Sequence, residues 1–174
     1  MFYEDLSRYG YTDDGDTFSE PNSLRFVCFQ PPYERLNIGW LSGSEPWTSG
    51  PAPAGFVDKL LAVIEAQAVN QMLGLHDCDF CANPFDDKHP WYTPRPGNRC
   101  ASSGTGEIRV PGTPGNAFAA PTLIGHYVAD HGYLPPKVFI DAVLAFDPRT
   151  HRPARHPWLP FPWIPDDVEP EWIE

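Results

Sequence analysis

Basic side chains are scarce in this chain: 12 lysines and arginines stand against 23 aspartates and glutamates, giving a net charge of −11. Residues 1–20 hold six acidic side chains against Arg8, and residues 166–174 hold five acidic side chains and no basic one. Binding to a phosphate backbone requires clustered lysine and arginine. The composition therefore disfavours a nucleic-acid partner. A basic protein partner stays open, although acidic ends commonly serve only to keep a chain soluble.

Long apolar runs are also missing from the sequence. No run approaches the roughly 20 apolar residues that a helix needs to cross a bilayer. The first five residues, Met-Phe-Tyr-Glu-Asp, lack the basic start and the apolar core of a secretory signal. We therefore expect a cytoplasmic protein that makes no membrane contact.

Cysteine is rare, with four residues in 174, and two of the four stand together. In a reducing compartment, paired cysteines bind metal or perform redox chemistry more often than they form structural disulfides. Cys78 and Cys81 form a Cys-x-x-Cys pair, a spacing that lets two sulfurs bind one ion from a tight turn. His76 lies two residues before Cys78. In an extended segment His76 and Cys78 point to the same side. Zinc suits sulfur and imidazole ligands in a tetrahedral shell, so the pattern predicts a structural zinc site.

The remaining zinc ligands must come from elsewhere, and a predicted helix about fifty residues further on offers two histidines. At about 100° per residue, His126 falls on the flank of the helix's apolar stripe. His131 falls near the centre of the stripe but at the helix end, where a histidine also interacts favourably with the helix dipole. We favour His126 as the distant ligand. His76, His126 and His131 all stay open as the third and fourth ligands.

Two alternative functions are thiol redox chemistry at Cys78 and metal-dependent hydrolysis with Glu107. Thiol redox chemistry is disfavoured because Asp77 and Asp79 flank Cys78, and nearby negative charge raises a thiol pKa. A metal-dependent hydrolase would use Glu107 as a general base beside a metal-bound water, with His131 as a proton shuttle. The sequence contains none of the familiar hydrolase or deaminase motifs, such as His-Glu-x-x-His. Glu107 is explained more simply as a strand residue paired with a neighbour such as Arg109.

The pattern of apolar residues predicts an α+β fold, with a small, mainly antiparallel sheet and about three helices beside the Cys-x-x-Cys knuckle. β-branched and aromatic residues favour strands, and apolar residues at a spacing of three and four favour helices. The predicted strands are residues 24–29, 36–41, a short one within 72–81, 107–110 and 116–119. The predicted helices are residues 54–70, 121–131 and a third that follows Pro135-Pro136 and ends before Pro148. Residues 83–105 are predicted to be a long loop.

The chain divides into three segments on composition. Residues 1–22 are an acidic segment, predicted to be a loop that tyrosines and Leu6 pin onto the body. Residues 23–147 form a single α+β domain. Residues 148–174 are an acidic tail rich in proline and aromatic residues, in which a regular helix or sheet strand is not expected. Its tryptophans favour a tail that wraps the body or docks a partner.

Six motifs occur together in this order and carry a resemblance to a known family. They are Tyr3-Glu4-Asp5-Leu6-Ser7-Arg8-Tyr9-Gly10-Tyr11, Asn37-Ile38-Gly39-Trp40-Leu41, Gly74-Leu75-His76-Asp77-Cys78-Asp79-Phe80-Cys81, Gly106-Glu107-Ile108-Arg109-Val110, the run from Ala119 to Val128, and His131-Gly132-Tyr133-Leu134-Pro135-Pro136. The set resembles an uncharacterised family of small bacterial proteins, frequent in actinobacteria and myxobacteria, over residues 3–146. The resemblance implies no established activity. It implies that the knuckle and the two distant histidines belong to one unit.

These observations lead to two functional hypotheses. The first is a non-enzymatic, zinc-stabilised cytoplasmic module that binds another protein, for example as an antitoxin or an immunity protein. It rests on the acidic charge, the aromatic tail and the missing catalytic set. The second is a small hydrolase that uses a Cys/His-bound zinc with Glu107 as its base. The number of protein ligands around the ion separates the two hypotheses, because catalytic zinc keeps one position open to water.

Overall fold

The computed structural model describes residues 1–11, 15–20, 23–30, 33–67, 69–71, 74, 76–81, 103–149 and 168–173. Within these residues the chain forms three helices and small, mostly antiparallel sheets, which confirms the predicted α+β class. The helices are α1 (Phe56–Ala66), α2 (Ile124–His131) and α3 (Lys137–Ala145). The strands are β1 (Gly15–Glu20), β2 (Ser23–Gln30), β3 (Glu34–Asn37), β4 (His76–Asp77), β5 (Ser103–Gly104), β6 (Glu107–Pro111), β7 (Asn116–Pro121) and β8 (Glu169–Ile173).

The central sheet has the strand order β3-β7-β6. The β6–β7 hairpin is antiparallel, as predicted, with Ile108 opposite Ala120. β3 runs parallel to β7, with Leu36 opposite Phe118. The predicted strand 36–41 starts earlier than expected and ends at Asn37. The other two sheets, β1-β2-β8 and β4-β5, are antiparallel throughout.

One face of the central sheet carries the main apolar core. Side chains alternate along a strand, so Ile108 and Val110 of β6 point to the same face and join this core. The helices cover that face, and Phe139 of α3 packs edge-on against both Phe118 and Phe56, with ring centroids 5.6 and 6.4 Å apart. Burial of these apolar side chains is what holds three short helices on the sheet.

The opposite face of the central sheet holds a buried charge network, which we define as Asp16, Arg35, Glu107 and Arg109. Arg109 donates to Asp16 over 2.6 Å and to Glu107 over 2.8 Å, and Arg35 lies 3.3 Å from Asp16. None of the four side chains is more than 5% exposed. Two carboxylates and two guanidinium groups balance in charge, as buried ions require. The Glu107–Arg109 ion pair agrees with the prediction that Glu107 is a strand residue paired with a neighbour.

Three segments form strands where the sequence predicted none. One is β5, which lies at the end of the predicted loop 83–105. The predicted acidic loop contains β1, whose Gly15 crosses β2 so closely that a Cβ there would collide with the Val27 carbonyl oxygen. The expectation that the tail forms no sheet strand is wrong, because β8 pairs with β2 and places Trp172 opposite Val27. β8 is an edge strand, which is where a sheet tolerates a proline such as Pro170.

The N-terminal segment, defined here as residues 1–11, lies against the central sheet. Tyr9 is buried, and Tyr3 pairs with Trp40 through the backbone and through an edge-on ring contact of 5.6 Å. Asp5 accepts hydrogen bonds from the Tyr133 hydroxyl and from the Gly39 amide. Burial raises the pKa of the Asp5 carboxyl. Tyr3 and Tyr9 therefore hold the segment against the body as predicted. The prediction is wrong for Leu6, whose side chain is 43% exposed.

Several expectations fall outside the described residues. Most of the predicted loop 83–105 lies there, because the structure describes none of residues 82–102. Cys100 and the tail aromatics Trp158, Phe161 and Trp163 lie there too. Among the helices that are described, none has the length and apolar character needed to span a membrane.

Candidate metal centre

Four side chains that are distant in sequence form one cluster beside α2. The Cys81 sulfur lies 3.2 Å from His126 Nε2 and 3.4 Å from His131 Nε2. The Cys78 sulfur lies 3.3 Å from His131 Nε2, and the two imidazole Nε2 atoms are 3.0 Å apart. All four ligand atoms lie within 4.8 Å of one another. We call this group the metal cluster.

The two sulfurs come from a tight turn that follows β4. The Cys81 amide donates to the Cys78 carbonyl oxygen over 3.3 Å, which closes the turn. The amides of Phe80 and Cys81 also bond to the Cys78 sulfur. Such donors stabilise a thiolate, and a thiolate is the form that binds metal. The turn therefore places Cys78 and Cys81 side by side.

Phe80 fixes the turn against the body of the protein. Its ring packs edge-on against Trp47 and Tyr127, with centroids 5.6 and 5.7 Å apart, and lies 5.4 Å from the His131 ring. Asp79, on the outer side of the turn, accepts a hydrogen bond from the Gly43 amide over 3.1 Å. Aromatic packing and this hydrogen bond hold the sulfurs facing α2.

Both imidazoles come from α2. His126 is buried, whereas His131 is the last helical residue and is followed by Gly132 with φ at 69°. The left-handed backbone at Gly132 is the common way to end a helix, and glycine adopts it without strain. Residues five apart lie about 140° from each other on an ideal helix. The His126 and His131 rings nevertheless meet, because His131 is the last residue of the helix.

Asp130 orients His126 from the side away from the sulfurs. Its Oδ2 atom lies 2.7 Å from His126 Nδ1, and the two residues are one helical turn apart. A carboxylate only accepts hydrogen bonds, so Nδ1 carries the proton and Nε2 keeps its lone pair toward the cluster. Metal-binding histidines usually have such a carboxylate partner. The spacing of four residues between His126 and Asp130 is visible in the sequence and is the signal that indicates this pair.

The geometry of the cluster fits a tetrahedral ion. Zinc–sulfur and zinc–nitrogen bonds of about 2.3 and 2.0–2.1 Å place neighbouring ligand atoms roughly 3.3–3.8 Å apart. The shortest separations in the cluster, 3.0–3.4 Å, lie at or slightly below the lower end of that range. Both cysteines are free thiols rather than a disulfide. The group is therefore a possible metal site with two sulfur and two nitrogen donors.

The electrostatics of the cluster argue against a free, reactive thiol. Burial raises the pKa of the Cys78 thiol to about 11, with the nearby Cys81 adding to the rise. Burial and the neighbouring His126 lower the pKa of His131. Without a cation, Cys78 is therefore protonated at neutral pH, and only a nearby positive charge such as a dication favours its thiolate.

The other predicted site residues lie outside the metal cluster. His76 is exposed in β4, where it pairs with Gly104 of β5. Glu107 belongs to the buried charge network and accepts hydrogen bonds from Tyr9, Asn70 and Arg109. Of the three histidines that the sequence left open, the structure brings His126 and His131 together with the sulfurs.

Comparisons with known proteins identify a family but no activity. No curated protein and no solved structure matches the chain. A family model does match residues 1–144, which is most of the chain. That span includes every residue of the metal cluster and agrees with the extent of the resemblance seen in the sequence. The chain therefore belongs to the domain of unknown function DUF7919, which confirms the predicted membership of an uncharacterised family.

Proposed function

We propose that the metal cluster binds one zinc ion as a closed structural site, in a non-enzymatic cytoplasmic module that binds another protein. The observation that carries the structural role is the set of four protein donors, Cys78, Cys81, His126 and His131. Two sulfurs and two imidazole nitrogens complete a tetrahedron and leave no position for a reacting water. Reduced thiols are also the form expected in the cytoplasm.

The hydrolase alternative lacks support from the site. A general base must lie beside the metal-bound water whose proton it abstracts, and Glu107 lies outside the metal cluster, in the buried charge network. Its pairing with Arg109 gives Glu107 a structural role there. We therefore assign Glu107 to stability rather than to catalysis.

Titration with Co²⁺ tests the closed site, because tetrahedral thiolate coordination gives cobalt strong visible absorption. We expect one Co²⁺ per chain, a spectrum typical of two sulfur and two nitrogen ligands, and displacement of the cobalt by zinc. Cys81→Ser should abolish that spectrum, whereas His76→Ala should leave it unchanged. A five- or six-coordinate spectrum, or its loss in His76→Ala, would contradict the assignment.

The same titration measures the contribution of Asp130. Asp130→Asn should weaken metal affinity about 10–100-fold, as loss of a histidine's outer hydrogen-bond partner does in other metal sites. Asp141→Asn is the matched control, because Asp141 lies on α3 and pairs with the exposed Lys137. Equal affinities in the two variants would show that Asp130 has no orienting role.

The N-terminal segment supports the protein-binding half of the proposal. Four of the six large apolar side chains that are exposed in the described part of the chain belong to it: Met1, Phe2, Leu6 and Tyr11. The Leu6 backbone has φ at 66°, an uncommon conformation for a leucine, and its side chain is 43% exposed. Strained, exposed residues of this kind cluster at functional surfaces. Glu4 adds exposed negative charge, which suits a partner with a basic, partly apolar surface.

Matched surface variants test this assignment. Phe2→Glu with Leu6→Glu should abolish capture of a basic partner protein, because buried carboxylates oppose docking of an apolar surface. Val138→Glu with Leu144→Glu alters two equally exposed apolar residues on α3 and should preserve capture. Capture of the same proteins by both variants and by the unmodified chain would refute the role of the N-terminal segment. An antitoxin or immunity role stays a prediction until such a partner is identified.

A further inference from the structure

A cavity of about 180 Å³ lies next to the metal cluster and is separate from it. Trp40, Leu41, Leu123 and Tyr127 give it apolar and aromatic walls. Tyr127 also packs against Phe80 of the metal-binding turn, so the cavity and the cluster share one wall. A cavity of about 150 Å³ is known to accommodate benzene. This cavity therefore has room for one six-membered ring with a small substituent.

Two buried polar residues, Asn70 and Glu107, border the cavity. Glu107 Oε1 accepts from the Tyr9 hydroxyl over 3.0 Å and from Asn70 over 3.3 Å, and Oε2 accepts from Arg109 over 2.8 Å. A carboxylate offers about four acceptor positions. Among the described residues three donors reach Glu107, so its carboxylate has capacity for one more.

The charge around this carboxylate selects a neutral donor. Asp16 and Glu107 are balanced by Arg35 and Arg109, so the buried charge network has no excess negative charge to attract a cation. An anion would face the Glu107 carboxylate, which lines the cavity. A neutral hydroxyl or amide N–H, in contrast, can hydrogen-bond to Glu107 without changing the balance.

The polar edge of the cavity is held rigidly. Val69 and Glu107 exchange two backbone hydrogen bonds of 2.9 Å, and Asn70 follows with φ at 50°. Asparagine tolerates this left-handed conformation better than most residues. The turn aims the Asn70 amide at Tyr9, Asp16 and Glu107 together. A donor entering the cavity therefore meets a preformed arrangement of hydrogen-bonding groups, as is typical of small-molecule sites.

We propose that this cavity binds a small neutral aromatic molecule, of one ring, that carries a hydroxyl or amide donor. The ring contacts the apolar walls and the donor bonds to Glu107. His76 is exposed and lies at the rim of the cavity. We assign it to the entrance of the cavity rather than to the metal cluster. The inference rests on the cavity alone and holds whether or not the metal cluster binds zinc.

Fluorine NMR with 4-fluorophenol as the probe tests the proposal on the full chain as purified. The fluorine signal should broaden when protein is added. The affinity of 4-fluoroanisole should be at least tenfold lower, because its methyl group removes the donor. Thr105→Trp should abolish binding by filling the mouth of the cavity, since Thr105 lines it. Thr48→Trp, which places the same side chain on an exposed residue elsewhere, should leave binding intact.

A second measurement uses the unmodified chain and does not depend on a folded variant. In ¹⁵N–¹H spectra, 4-fluorophenol should shift the amides of Gly104, Thr105 and Gly106, which line the cavity, and leave those of α3 in place. Absence of broadening with the unmodified chain would overturn the proposal, as would equal affinity for the two probes. Unchanged binding by a folded Thr105→Trp variant, or shifts located away from residues 104–106, would overturn it too.

Discussion

Removal of the metal is expected to unfold most of the domain. Structural zinc in small peptides contributes about 10–16 kcal/mol of apparent binding free energy, whereas a whole domain has a net stability of only about 5–15 kcal/mol. The cluster joins Cys81 to His126 across 45 positions of sequence, so its loss also releases a long loop. α2 has eight residues and is too short to persist without tertiary contacts. Chelation followed by thermal unfolding, read by circular dichroism, measures the effect.

Cysteine variants give that experiment its control. Cys81→Ser should reproduce the effect of the chelator. Cys28→Ser, the same change at a buried cysteine of β2 away from the cluster, should cost about 1 kcal/mol, as a typical core substitution does. A chelated protein that keeps its cooperative transition at the original temperature would show that the cluster does not determine folding.

Loss of Arg109 is expected to be the most destabilising single change outside the metal cluster. Arg109→Met keeps a similar side-chain volume but leaves Asp16 and Glu107 buried without their main cation. Breaking a buried ion pair from one side typically costs about 3–5 kcal/mol. Urea denaturation measures the cost as a fall in the free energy of unfolding. Lys137→Met is the matched control, because the Lys137–Asp141 pair is exposed and is worth at most about 0.5 kcal/mol.

The comparison with Lys137→Met tests the cause of the instability. A loss of unfolding free energy in Arg109→Met that is no larger than that in Lys137→Met would contradict a stabilising role for the buried charge network.

Local patterns were sufficient to predict most of the helical layer. The β6–β7 hairpin, the end of α2 at Gly132 and the position of α3 all follow from residues close in sequence. The strands β1 and β8 could not be predicted in this way. β8 pairs with β2 from the far end of the chain, and its proline, Pro170, argues against a strand unless its edge position is known. Pairing over such distances depends on tertiary context that a local pattern does not contain.

The candidate site was predictable only in part, for the same reason. The spacing of Cys78 and Cys81 indicates a metal by itself, and the helix period pointed to His126. The same period places His131 near the centre of the apolar stripe but at the helix end, and the structure brings it to the sulfurs from that end. His76 was considered because it is close in sequence, but it lies exposed in a two-residue strand. The Asp16–Arg109 pair joins residues 93 positions apart, which no local motif reveals.

The zinc content of the purified protein shows whether the metal cluster binds an ion. Elemental analysis should find one zinc ion per chain in the unmodified protein and in His76→Ala. It should find essentially none in Cys78→Ser or in the double variant His126→Ala with His131→Ala. A protein purified without zinc that cannot take it up, or full zinc content in Cys78→Ser, would contradict the account.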